Sequence, residues 1–388
     1  MSESNKPDSA STPNASRITS NSKTSCSWLF TSFMTVLVPV VAASILYNLD
    51  SFDPAPLPPD LLTRHAIAAP ASNKHMLRGA ELVGVGNLEG PEDVAYDHSS
   101  GVIYTGCADG WINRVNVNDS EVQKWINTGG RPLGIAVDGL KQEVVVADPK
   151  RGLLKVTAEG KVEVLTDEAE GQKFRTTDAV DVAQNGMVYF SDASYKYSLD
   201  DFFWDMLEGK PHGRLLSYDP ATKTTQVLLP NLYFANGVAV SPDQNHVIFC
   251  ETTARRCRKY HISGNEKGKV DKFIENLPGM PDNIRYDGEG HYWIALLQEY
   301  TLSWYLTFKY PLIRKFAAIA LKYTGQPYFL GRSGGVLVVD LVGKPIAHYY
   351  DPELPLLTSA MKIGDHLYCG SFVAPYIISL NLKQYPAV

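Results

Sequence analysis

Five oxygen-bearing side chains hold equivalent places in a phrase that recurs along this 388-residue chain. The phrase reads EDVAYDHSSGVIYTG from Glu92, LGIAVDGLKQEVVVAD from Leu133, DAVDVAQNGMVYFSD from Asp178, NGVAVSPDQNHVIFCE from Asn236, DNIRYDGEGHYWIAL from Asp282 and TSAMKIGDHLYCGSF from Thr358. Leu133 alone lacks a side-chain oxygen, and Asn283 beside Asp282 adds one more. If the fold brings these positions together, Glu92, Asp178 and Asp282 repel one another unless a cation lies between them. A mixed set of carboxylates and carboxamides suits Ca²⁺, which takes six to eight oxygens in irregular geometry. Taken singly, each residue is also an ordinary turn residue before a strand.

Each phrase is an apolar strand, a turn and a second apolar strand, so the chain beyond residue 80 reads as all-β. The starts lie 41, 45, 58, 46 and 76 residues apart. The shorter spacings match a four-stranded propeller blade and the longer ones leave room for insertions. The expectation is a six-bladed β-propeller over residues 79–386, whose inner strands carry the six opening positions to the central axis. One insertion, Tyr197 to Arg214, reads as a short helix. The other spans about 301–332, where Leu312, Phe316, Ile319 and Tyr323 fall on one helical stripe and Arg314, Lys315 and Lys322 fall off it. No acidic residue lies between Glu299 and Asp340, so helix 311–323 is a candidate for a membrane surface, for a lid over the propeller, or for plain packing on the rim.

Residues 1–25 are polar, without apolar periodicity, and read as a disordered tail. Residues 26–47 (CSWLFTSFMTVLVPVVAASILY) are uncharged and long enough to span a bilayer, as a transmembrane signal-anchor or a signal peptide. Lys6, Arg17 and Lys23 precede this segment while Asp50, Asp53 and Asp60 follow it, which places the tail in the cytosol and the propeller in the lumen. Residues 48–78, with FDPAPLPPDLL, read as a stiff linker. In a lumenal body Asn118-Asp119-Ser120 is a glycosylation sequon, whereas Asn14 is stranded in the cytosol. Cys250 and Cys257 are either a cross-strand disulfide or two small core residues. Five cysteines without metal-ligand spacing argue against a zinc site, and a net charge of −6 gives no footprint for nucleic acid.

Glu92 in GPEDVAYD, Asn236 in FANGVAVSPD and Asp282-Asn283 in MPDNIRYD resemble the calcium-dependent propeller hydrolases, the paraoxonase and gluconolactonase group. That resemblance implies a catalytic Ca²⁺ held by the Glu, Asn and Asp, with an Asn where Asp178 stands here. A longer resemblance, over about 75–385 and through ANGVAVSPD, ETTARRCRKYHISG, ENLPGMPDNIRYDGEGHYWIA and HLYCGSF, is to strictosidine synthase-like proteins, adipocyte plasma membrane-associated protein among them. It implies a membrane-anchored propeller in the endoplasmic reticulum or vacuole, or a secreted or vacuolar one after signal cleavage. In strictosidine synthase proper a Glu acid/base opens the sixth blade; Thr358 stands there, and a hydroxyl does not replace a carboxylate in that role. None of the nine His opens a blade, so the channel histidines of paraoxonases have no counterpart. The expected activity is therefore a calcium-dependent esterase or lactonase acting on a small apolar substrate, with Asp178 or Glu299 as base. The alternatives are a non-catalytic binding propeller and a condensing enzyme with a relocated carboxylate, for which Glu353 is the nearest in sequence.

Overall fold

The computed structural model describes residues 23–138, 143–325 and 331–388. The predicted tail therefore lies outside the described residues up to position 22, as does Asn14. The chain divides into two compact units, residues 1–51 and 52–388. In the first, helix α1 (Lys23–Leu49) contains a 20-residue apolar stretch, Phe30–Leu49, long enough to cross a membrane.

The second unit is a six-bladed propeller, and each blade is an antiparallel sheet of four strands. Their inner strands are Val94–Asp97, Ile135–Asp138, Thr177–Val182, Ala235–Val240, Gly279–Tyr286 and Ser359–Ile363. The sixth blade takes its outermost strand, Ala80–Val83, from the start of the unit and pairs it with Ile377–Asn381 near the end. Strands such as His246–Glu251 are apolar on both faces because each blade is sandwiched between two others. Six apolar clusters fill the six spaces between consecutive blades. Cys250 and Cys257 are paired across adjacent strands of the fourth blade and joined by a disulfide.

Segment 52–78 is not a free spacer. Leu57 and Leu61 are buried, Ala55 N–H donates to Glu208 O at 2.8 Å, and Ala71–Asn73 adds a parallel fifth strand to blade five. Proline stiffens such a segment, but its leucines supply the apolar area that docks it.

The insertions form α2 (Phe202–Glu208), α3 (Leu302–Lys309) and α4 (Pro311–Thr324). Of the second predicted insertion, residues 326–330 lie outside the described residues. The face that α4 buries differs from the apolar stripe read in its sequence: Arg314, Ala317, Ala318 and Ile319 are buried, while Leu312, Phe316 and Tyr323 are exposed. The physical reason is Arg314. Its Nη1 donates to Leu207 O and Glu208 O, both at 3.2 Å, and its Nη2 to Ala55 O. One guanidinium thus satisfies carbonyls at the end of α2 and ties them to the docked segment.

Candidate metal site

All six opening residues, Glu92, Leu133, Asp178, Asn236, Asp282 and Thr358, line a single cavity of about 50 Å³. Three blades aim their residue by the same device. Pairing runs from Thr177↔Asp192 to Val180↔Phe190, from Ala235↔Glu251 to Val238↔Phe249, and from Pro281↔Leu296 to Ile284↔Ile294. Each is a bulge with one extra residue on the inner strand, located at Asp178, Asn236 and Asp282 respectively. Bulges re-aim side chains in this way at sheet ends. Gly237 follows from the same crowding: a Cβ there would lie 2.4 Å from Asp282 O.

The polar end of the cavity is buried and under-satisfied. Glu92 Oε1 accepts from Asn283 Nδ2 at 3.0 Å, and Asn283 N–H donates to Thr358 O. Glu92 Oε2, Asn236 Oδ1 and Asp282 Oδ1 have no hydrogen-bond partner among the described residues. Three buried acceptors without protein donors, converging on one cavity, are costly unless something else there satisfies them. Burial, joined by the charges of Asp282, Asp93 and Asp178, lifts the Glu92 carboxyl well above its ordinary range. Burial and Asp178 do the same to Asp282, against a hydrogen bond from Asn236. Asp178 is pushed up to about 8 by burial and by Asp93 and Asp192. An oxygen set of this kind, with orphaned acceptors and mutually repelling carboxyls, fits a hard divalent cation of the Ca²⁺ type. Glu92, Asp178, Asn236 and Asp282 are the residues that would hold it, with Asn283 orienting Glu92.

The rest of the cavity is mostly apolar: Phe202 and Met206 of α2, Phe234, Leu297 and Phe372, with Leu199 and the polar Thr252. Phe202 lies 6.4 Å from Phe234 and 6.2 Å from Phe372, ring to ring. Phe234 adopts φ 59°, a strained left-handed conformation, two residues before Asn236. These walls escaped the sequence reading because three of them come from an insertion; Phe234 and Phe372 were legible only as neighbours of FANG and HLYCGSF.

Other expected residues fall elsewhere. Thr358 Oγ1 and Ser359 Oγ both donate to Glu92 O, at 2.6 and 2.8 Å, so neither hydroxyl is left to move a proton. Glu299 is exposed and lines a separate cavity of about 360 Å³ with His348 and Tyr350. Glu299, expected as a base, does not line the oxygen-bearing cavity; it ends the strand His291–Glu299 two residues beyond Leu297, which does. Glu353 is exposed and pairs with Arg332 at 3.3 Å. Asn118 is exposed in the hairpin between the outer two strands of blade one.

Fold and cavity together define a six-bladed propeller that gathers acidic and amide oxygens from successive blades beneath an apolar cover. Family models for strictosidine synthase and for the strictosidine synthase-like N-terminal region match residues 178–265 and 71–115. A strictosidine synthase-like protein of Arabidopsis thaliana is 54% identical over 92% of this chain and 96% of its own length. The adipocyte plasma membrane-associated protein of Gallus gallus is 35% identical over 89% of this chain and 88% of its own. The chain belongs to the strictosidine synthase-like family. Among solved structures it shares its fold with a gluconolactonase from Xanthomonas campestris (TM-score 0.56, 16% identity, 85% of this chain and 98% of the other). A calcium-binding protein, regucalcin, from Agrobacterium tumefaciens shares it too (TM-score 0.53, 15% identity, 81% and 95%).

Proposed function

We propose that this protein is a calcium-dependent hydrolase of the esterase or lactonase type, held at a membrane by α1 with its propeller on the lumenal side of the endoplasmic reticulum or vacuole. The carrying observation is the trio of partnerless buried oxygens on Glu92, Asn236 and Asp282 within a cavity whose other walls are mostly apolar. Ca²⁺ bound there supplies a Lewis acid for a carbonyl oxygen and neutralises the carboxylates. Asp178 lines the same cavity and, kept ionised by the bound cation, is the carboxylate placed to take a proton from an attacking water. Phe202, Phe234 and Phe372 exclude bulk water and orient a small apolar acyl group. Strictosidine synthesis does not fit, because Thr358 replaces the acid/base and its hydroxyl is engaged with Glu92 O. The test is hydrolysis of aryl-ester and lactone panels by the full chain in detergent. Activity that disappears with chelator, and in Asn236→Ala, supports the reading; inert, calcium-replete protein overturns it.

The small volume of the cavity favours one other reading, a non-catalytic binding propeller in which calcium joins the blades across the axis. Under it Asn236→Ala lowers the thermal midpoint and there is no hydrolysis to lose.

The membrane contact extends, in this proposal, to the α3–α4 face. Leu302, Tyr310, Leu312, Phe316 and Tyr323 are exposed there beside Lys309 and Lys315. The first propeller residues after the anchor are bound at the same region, Phe52 against Trp204 and Ala55 against Glu208. Apolar side chains interspersed with lysines suit an anionic interface.

A further inference from the structure

A second layer of carboxylates lies beside the first. Asp93 follows Glu92 directly, Asp181 is three residues beyond Asp178, and Arg285 is three beyond Asp282. Arg285 is buried and reaches from blade five to three other blades. Its Nη2 donates to Asp93 Oδ2 of blade one and, at 2.7 Å, to Ile135 O of blade two; its Nη1 donates to Val180 O of blade three at 3.4 Å. Asp93 also accepts from Val94 N–H at 2.8 Å and Ile135 N–H at 3.0 Å. Asp181 accepts from Val182 N–H at 2.8 Å and from Val240 N–H of blade four at 2.7 Å. All four carboxylate oxygens of this layer therefore have a donor, in contrast to the open oxygens of Glu92, Asn236 and Asp282.

We propose that the Arg285 guanidinium is the resident cation of this second layer, that it restricts the propeller channel to one metal ion, and that it positions Glu92 by holding Asp93. One carboxylate and two backbone carbonyls at hydrogen-bonding distance of one group, with the charge of Asp181 nearby, are what a second Ca²⁺ would seek. A guanidinium fills that role permanently, since its charge is fixed and its planar fork serves carboxylate and carbonyls at once. Glu92 is adjacent to Asp93 in the chain, so the clamp on Asp93 also fixes the backbone from which Glu92 reaches the open layer.

The consequence is a count. Metal-stripped full-length protein in detergent, dialysed to equilibrium with Ca²⁺ and analysed for bound metal, is compared with Arg285→Met and with Arg285→Lys, which keeps a cation in place. The expected increment is one additional Ca²⁺ per chain in Arg285→Met and none in Arg285→Lys. Wild type is expected to bind one and Asn236→Ala none, a count that rests on the calcium reading above, whereas the increment does not. No increment in Arg285→Met over wild type overturns the proposal, whereas an Asn236→Ala protein that keeps its ion overturns the calcium reading of the first layer. If Arg285→Met folds only when calcium is present, the ion has replaced the guanidinium and the proposal stands. If it stays unfolded in millimolar calcium, a divalent cation cannot fill the place and the proposal falls.

Discussion

Replacing Asp178 with Asn tests how much folding free energy the crowded carboxyls hold, and the pH dependence isolates that contribution. A carboxyl raised from 3.8 to about 8 is preferentially protonated in the fold. Its opposition to folding is absent below pH 4, grows as pH rises, and levels off above about 8. Each unit is worth about 1.4 kcal/mol, so the metal-free protein carries roughly 4 kcal/mol of destabilisation at pH 7 and under about 2 kcal/mol at pH 5. A carboxamide at this position carries none of this, and any packing change it causes is common to both pH values. In chelator, Asp178→Asn should therefore gain about 2 to 3 kcal/mol on wild type between pH 5 and pH 7, or roughly 4 to 6 °C in thermal midpoint for a domain of this size. Calcium should reverse the ranking, because wild type gains a ligand charge that the variant lacks. Thermal unfolding by circular dichroism, with chelator and with calcium, reads all four conditions. A difference between variant and wild type that stays constant from pH 5 to pH 7 in chelator would refute the reasoning.

The membrane face gives a second prediction. Leu312→Ser with Tyr323→Ser should weaken binding of a form lacking residues 1–51 to anionic vesicles several-fold in flotation assays, and leave ester hydrolysis in detergent unchanged. Arg314→Met takes the donor from Leu207 O and Ala55 O, while Glu208 O keeps Ala55 N–H, and at about 1 to 3 kcal/mol for each group left unpaired it should lower the thermal midpoint by several degrees. Asn118 lies on an exposed turn, so endoglycosidase should shift the wild-type band and leave Asn118→Gln unshifted; a wild type without the shift argues against a lumenal propeller.

The architecture was legible because each blade repeats one phrase, and the repeat survives insertions. The cluster of oxygens was legible for the same reason, since Asp, Asn and Glu at a fixed place need no knowledge of the backbone. The bulges at Asp178, Asn236 and Asp282 were not, because a bulge shows only in how two strands pair. Helix α4 misled through Arg314, which helical periodicity assigns to solvent although its head finds three carbonyls inside. Segment 52–62 misled through its prolines, which hide the docking of Leu57 and Leu61. The role of Arg285 was invisible in DNIRYDG, as its partners lie on blades one, two and three, up to 192 residues away.

Closure of the sixth blade sets the order in which this protein can finish folding. Ala80–Val83 is among the first parts of the propeller to be synthesised, yet its partner Ile377–Asn381 is among the last. At ordinary rates of synthesis, about 5 to 20 residues per second, the early strand waits on the order of 15 to 60 s with an unpaired edge. The two ends of the ring must then meet across nearly the whole domain, a high-contact-order step that is slow by nature. Loss of the last dozen residues would leave the blade open and both edges exposed, so truncation at the end of the chain should be punished by aggregation or degradation although no ligand oxygen is touched.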